Sequence, residues 1–404
     1  MSEPVFILGG WQSDFSRKAG ADGLYGLLSA AVPAALEDAQ VAPGEIEVAH
    51  VGNLAGELFC GQAHLGAMLT TIDPAFNGLP AARHEAACAS GSIAILAAMA
   101  EIEAGRYDVA LVAGVEVERN VGGQKAAEYL GCASWVGNEL AGEEFPWPTQ
   151  FAQVADEYAA RWGLKHEHLA RIAEVNFDNA KRNPNAQTRE WERPATFAED
   201  DEHNPVVRGV LRKQDCGRIT DGAAAVVLAS ARFVEDWARR TNAGRVPVIA
   251  GWGHHTAPIR LEDKLLANQG APVAFPHLQA TVADALRRAS CPDVFSLDLL
   301  EVHDCFSISE YAAIDHAGLT EPGLSWQAVE DDVISMGGKL PINPSGGLIG
   351  LGHPVGATGV RMLLDGYKQV SGRAGAYQVE GARRAGTFNV GGSFSTAVSF
   401  VVAV

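Results

Sequence analysis

The chain has 404 residues, 47 % of them hydrophobic, with 44 glycines, 7 % aromatics and a formal charge of −18. Those figures predict a glycine-punctuated α/β protein with a large core, divided into two or three domains or built as one duplicated body. The charge excludes nucleic acid and anionic membrane as partners, because either needs a basic face; an anionic small substrate fits only where a local basic patch or helix N-termini receive it.

Met1-Ser2-Glu3-Pro4 carries no basic n-region, so no signal peptide is expected. Strand, helix and strand patterns follow at Val5–Trp11, Leu27–Ala39 and Ile46–Val51, and the same series recurs at Pro247–Gly253, Leu278–Ala289 and Leu297–Val302. The two helices even close on matching pentapeptides, ALEDA (35–39) and ALRRA (285–289). Each half then reaches a small-residue or glycine-rich loop opening a helix, with Cys88 in the first and His353 in the second. Further strands are expected at 108–114 and 222–229, matched by 386–391 and 396–403. Six elements in the same order predict two similar halves, each a mainly parallel sheet with helical cover, whose equivalent loops meet at one site.

Between Val115 and Gln214 the repeat is interrupted by about 100 residues, the size of a lid or substrate-binding element rather than a connecting loop. This stretch carries an amphipathic helix near Gln150–Trp162 and turns around Asn183-Pro184-Asn185. Lys181, Arg182, Arg189, Arg193, Arg208, Arg212 and Lys213 nearly balance its acids, which reads as a solvated charged face. The expected division is 1–115 with 215–245, an insertion over 116–214, and 246–404. Cys60, Cys88, Cys132, Cys216, Cys291 and Cys305 show no C-x-x-C spacing, so reduced thiols in a cytoplasmic protein are expected, with neither disulfides nor a metal site. The uncharged runs 340–360 and 385–404 are too rich in Pro and Gly, or too strand-like, to be membrane helices.

Three segments carry chemistry. Glu85-Ala-Ala-Cys88-Ala-Ser90-Gly91-Ser92 places a cysteine at the opening of a helix, whose N–H groups and dipole favour a thiolate nucleophile. Gly352-His353-Pro354-Val355-Gly356 sets a histidine at the mouth of another helix, suited to act as base toward a thiol or as donor to an oxyanion, among glycines that allow a substrate close. His303-Asp304-Cys305-Phe306 follows a strand end, where α/β sheets put working residues. More weakly, Asn389-Val390-Gly391-Gly392-Ser393 offers backbone N–H groups to an anion. His254 and His255 read as loop residues, and Cys216 as a packing residue near the pocket.

Together with Ala113-Gly114-Val115-Glu116 and Asp221-Gly222-Ala223-Ala224-Ala225, these segments resemble the thiolase superfamily nearly end to end and in the family's order. The resemblance implies a duplicated five-layered α/β/α/β/α fold, an inserted loop domain over 116–214 that holds coenzyme A, and a homodimer or homotetramer. Ordinary thiolases have N-E-A-F in place of His303-Asp304-Cys305-Phe306, and a C-terminal cysteine where Asn389 stands. Sterol-carrier-protein-type thiolases share both changes, which makes Cys305 the replacement acid/base.

The implied reaction is acyl transfer among acyl-coenzyme A thioesters, forming or cleaving 3-oxoacyl-coenzyme A. Cys88 takes the acyl group and His353 removes its proton, while the Cys88 and Gly391 amides hold the oxyanion. Cys305 moves the α-proton, and His353 and a water held by His303 stabilise the enolate oxygen. Coenzyme A enters as substrate or product, with no permanent cofactor and no metal. Two other readings remain: a ketoacyl-synthase-type condensing enzyme, with His303 as second histidine, and a non-catalytic or partner-dependent subunit that works with a small OB-fold and zinc-ribbon protein.

Overall fold

The computed structural model describes residues 3–404. Its first half runs β1 (Val5–Gln12), α1 (Gly23–Ala39), β2 (Val48–Gly52), the short helices α2 (Gly56–Cys60) and α3 (Leu65–Leu69), β3 (Ala81–His84), α4 (Ser90–Glu103) and β4 (Val109–Glu116). Helices α5 (Gly123–Leu130), α6 (Pro146–Trp162) and α7 (His166–Ala180) follow. A small hairpin of β5 (Val206–Arg208) and β6 (Leu211–Arg212) then leads to β7 (Gly222–Ser230) and α8 (Ala231–Thr241). The second half runs β8 (Val248–Thr256), α9 (Leu261–Ala267), α10 (Pro276–Arg288), β9 (Leu299–Val302), α11 (Ser307–His316), α12 (Ser325–Glu330), α13 (Val355–Val370), β10 (Arg384–Gly391) and β11 (Thr396–Ala403).

The large sheet has the order β3-β2-β4-β7-β1-β8-β11-β10-β9, and its two sides mirror each other. The pairs β2–β4 and β9–β10 are parallel, whereas β4–β7, β7–β1, β10–β11 and β11–β8 are antiparallel. Beyond β9, the parallel bridge Leu300–Ile342 stands where β3 stands in the first half. The halves join between β1 and β8 through the single pair Phe6–Val248.

Layering follows from the two-residue period of the strands. Along β7, Ala223, Ala225, Val227 and Ala229 face α1 and α8, while Ala224, Val226 and Leu228 face the core shared by α4 and α13. Val398, Phe400 and Val402 of β11 close that central core from the other side, and Ala397 and Val401 face α10 and α11. The result is the duplicated five-layered α/β/α/β/α arrangement, with α4 and α13 in the middle layer.

The two middle helices meet backbone to backbone at their N-termini. A Cβ at Gly91 would lie 2.8 Å from the Gly356 carbonyl oxygen, one at Gly114 2.4 Å from that same atom, and one at Gly359 2.3 Å from the Ser92 amide nitrogen. Gly356 and Gly359 therefore serve helix packing, not the close approach of substrate expected from the sequence. The insertion adds α7, a helix that the sequence analysis does not name. Phe151, Val154 and Tyr158 of α6 and Leu169 and Ile172 of α7 join the outer core of the second half, so a segment emitted by one half roofs the other. Among the described residues no helix is long and apolar enough to cross a membrane.

Candidate active site

Cys88 sits on a tight turn ahead of α4. Ala87 holds the left-handed conformation at φ +52°, uncommon for a residue with a Cβ. Local bonds hold the turn: the Ala87 amide donates to Glu85 Oε1 at 2.6 Å, the Ala86 amide to Ser90 Oγ at 3.0 Å, and Ser90 Oγ to the Ala87 carbonyl at 2.6 Å. The turn delivers the half-buried Cys88 sulfur to a cavity of about 320 Å³ shared with His353, Cys305 and Cys216 and walled by Leu54, Leu130, Trp147, Phe151 and Phe306.

His353 lies in the equivalent loop before α13. The single proton of Thr358 Oγ1 goes to the Pro354 carbonyl at 3.1 Å, so His353 Nδ1–H donates to Thr358 Oγ1 at 2.7 Å. His353 Nε2 then carries a lone pair, and it is buried without a protein partner. His303 stands edge-on to it, with ring centroids 5.0 Å apart. Asn389 Oδ1 accepts from Ser92 Oγ at 2.8 Å, which turns Asn389 Nδ2 to donate to His303 Nδ1 at 3.0 Å and leaves the His303 proton on Nε2. The Cys88 sulfur and one nitrogen from each ring lie within 4.8 Å of one another. One imidazole is thus set to accept a proton and the other to donate one.

Electrostatics keep this group neutral at rest. Burial, then the Glu118 carboxyl, pushes the Cys88 thiol up to about 12. Burial and the Arg361 charge lower His353 to about 3, and burial, His353 and Arg361 hold His303 well below the ordinary range. The thiolate expected at a helix start is not the resting form. A helix terminus is worth about 0.3–1 kcal/mol, under one pKa unit, while the rise from 9.0 to about 12 is several times larger.

Cys305 lines the same cavity, its sulfur 3.5 Å from Ser309 Oγ, and burial raises its thiol well above the ordinary range. Its neighbour Asp304 turns away and clamps the other loop, accepting from the Ile349 amide at 3.1 Å and from Asn176 Nδ2 at 2.9 Å. At the last strand turn the cavity is lined by Gly392, whose amide lies beside Cys88, where the sequence expects Gly391. A Cβ at Gly391 would lie 2.2 Å from the Ala86 carbonyl oxygen, so that glycine makes room for the Cys88 turn.

His254 and His255 pair within the sheet against Val398 and Ala397, away from the cavity. In the charged segment, Arg193 pairs with Glu174 and Asp178 and Arg208 with Glu143 on an exposed face, whereas Arg189, paired with Asp14, and Arg212, paired with Asp201, are largely buried and not part of a solvated face. Sequence reasoning missed Glu118, Ser92 and Thr358. Only Thr358 left a local trace, a hydroxyl one helical turn past the histidine.

A cysteine and two histidines are gathered at the crossing of two equivalent helix N-termini in a duplicated α/β/α/β/α fold. Residues 13–232 match the family described as "Thiolase, N-terminal domain" and residues 263–403 that described as "Thiolase C-terminal domain-like". The chain is 34 % identical to an acetyl-CoA acetyltransferase of Methanothermobacter thermautotrophicus over 90 % of each chain. It is 29 % identical to human sterol carrier protein 2 over 88 % of this chain and 64 % of that protein. A solved structure described as "Ltp2-ChsH2(DUF35) aldolase" has the same fold, with a TM-score of 0.78 at 18 % identity, covering 99 % of this chain and 98 % of that one. The chain belongs to the thiolase family, and it is an acyltransferase.

Proposed function

We propose that this chain transfers acyl groups between coenzyme A thioesters through a covalent acyl-Cys88, forming or cleaving 3-oxoacyl-coenzyme A. The observation that carries the reading is the Cys88–His353–His303 group at the end of an apolar cavity, with the His353 Nε2 lone pair free. As the Cys88 sulfur bonds to the thioester carbonyl carbon, its proton passes to His353 Nε2, and the Cys88 and Gly392 amides receive the oxyanion. Collapse breaks the carbon–sulfur bond to coenzyme A, whose thiolate leaves with the proton from His353.

Carbon–carbon bond formation needs a second base facing the same cavity. Cys305 faces it, and the burial that raises its thiol makes its thiolate a strong base once formed. Asn389 does not titrate and is held between Ser92 and His303. The donor proton on His303 Nε2 suits the enolate oxygen, directly or through a water. We assign coenzyme A binding to the insertion over 116–214, flanked by the halves 1–115 with 215–245 and 246–404, and expect a homodimer or homotetramer.

In deuterated solvent, the wild type should exchange the α-hydrogens of acetyl-coenzyme A, and Cys305→Ala should lose exchange while still accepting an acyl group on Cys88. Asn389→Ala should slow exchange without abolishing it. Exchange that survives Cys305→Ala and vanishes with Asn389→Ala would overturn this assignment of the second base.

The Ltp2–ChsH2(DUF35) likeness favours a second reading, in which a small partner protein completes the enzyme. Cys88, His353 and Cys305 on one cavity favour a self-contained site. The ketoacyl-synthase-type reading differs in preferring carrier-protein-bound acyl donors to coenzyme A thioesters.

A further inference from the structure

The turn between β10 and β11, which sets Gly392 beside Cys88, is strained and is gripped from another part of the fold. Gly392 holds the left-handed region at φ +63°, as a glycine readily does, but Phe394 holds it at φ +62° with a bulky side chain. A residue stays in that region only where its surroundings over-determine it. Part of the hold is on Phe394 itself. Its ring packs edge-on against Phe151 and Phe275, and His277 Nε2–H donates to its carbonyl at 2.6 Å.

The rest comes from a lysine. Lys264 of α9 is 2 % exposed, and its Nζ lies 2.8 Å from the Pro258 carbonyl oxygen, 3.0 Å from that of Ile259, 2.9 Å from Ser395 Oγ and 3.2 Å from Ser393 Oγ. The two carbonyls only accept. Both hydroxyls can place their own protons on the Ile259 carbonyl, at 3.2 Å from Ser395 and 3.4 Å from Ser393, so both are free to accept from Nζ. Four accepting oxygens around one nitrogen are the surroundings of an ammonium. No carboxylate contacts it: Glu262 and Asp263 pair with Arg260, and Glu139 accepts from the Leu261 amide at 2.9 Å. A buried charge is kept only where hydrogen bonds satisfy it, so the fold must bring both serines to this one point. Those serines flank Phe394.

We propose that Lys264 is a positioning residue for acyl transfer: by gripping Ser393 and Ser395 on either side of Phe394, it holds the turn in the form that presents the Gly392 amide to Cys88. The inference rests on the acyl-transfer reading, in which that amide receives the oxyanion. A purely structural Lys264 would serve only the packing of α9, and its loss would harm every reaction of Cys88 alike.

The test compares two reactions of Cys88, each followed by intact mass. Acylation by acetyl-coenzyme A passes through an oxyanion. Alkylation by iodoacetamide displaces iodide from a saturated carbon and passes through none. Lys264→Met should slow acylation at saturating acetyl-coenzyme A by about tenfold or more, while the half-saturating concentration and the alkylation rate change by less than about threefold. Ser393→Ala combined with Ser395→Ala releases the same grip from the other side and should show the same selective loss, a comparison that stands even if Lys264→Met does not fold. Unchanged acylation in either folded variant, or acylation and alkylation falling together, overturns the role of Lys264 while leaving acyl transfer intact. Absence of any adduct on wild-type Cys88 overturns the acyl-transfer reading itself.

Discussion

The loops before α4 and α13 occupy the same place in the two halves, and they are held in opposite ways. The Cys88 loop is held from within: its bonds run among Glu85, Ala86, Ala87 and Ser90, and it stores a left-handed Ala87. Such strain costs on the order of 1–3 kcal/mol and persists only where the surroundings over-determine it. The His353 loop is held from outside, by Asp304 on the Ile349 amide and by Thr220 Oγ1 on the His353 amide at 3.0 Å. The helices differ too. α13 buries Arg361 between Glu301 at 3.0 Å and Asp365 at 3.2 Å, while the corresponding place on α4 is the partly buried Leu96. Duplication supplied one frame twice, and the copies differ in what holds them: a local turn presents the Cys88 thiol, while bonds from distant segments hold the loop that carries the His353 imidazole.

The division can be broken from either side. The largest effect is expected for His353→Ala, which removes base and donor together and should slow Cys88 acylation by about a thousandfold or more; a normal rate would move the base elsewhere. Next comes Arg361→Met, which leaves two buried carboxylates without their cation. Urea unfolding should show a loss of about 3–5 kcal/mol, against under about 1.5 kcal/mol for Leu96→Met on the other helix. Equal losses would mean the polar network is not what sets α13 apart.

The smallest effect is one of profile. With the thiol pushed up to about 12, the thiolate fraction is small at neutrality and grows as pH rises. Alkylation of Cys88 should therefore climb about tenfold per pH unit between 7 and 10. With His353 lowered to about 3, its neutral form persists down the pH scale, so acylation should show no acid limb between pH 5 and 7. A plateau in alkylation near pH 7 would instead mean a preformed thiolate–imidazolium pair.

The repeat was legible because strand and helix periods recur in one order, and that order brings Cys88 and His353 together at a helix crossing. Cys305 and His303 were legible from the strand end before them. What the sequence hid is what arises between distant segments. Ser92, Asn389 and His303 form one chain of bonds across three elements, and no spacing announces it. Glu118 reads as an ordinary charged residue after a strand, and only the fold shows that it is buried against the cavity. That Gly392 lines the cavity while Gly391 packs against the Ala86 carbonyl depends on how the strand end meets the Cys88 turn, which no local pattern reports. The thiolate expectation failed because burial, which the sequence does not report, outweighs the helix terminus.

Intact mass and peptide mapping after brief exposure to acetyl-coenzyme A decide whether Cys88 carries a covalent acyl group. The wild type should gain one acetyl group, mapped to the peptide holding Cys88, and Cys88→Ala none. An adduct that persists in Cys88→Ala at another cysteine, or a wild type that turns over without any adduct, would contradict acyl transfer through Cys88.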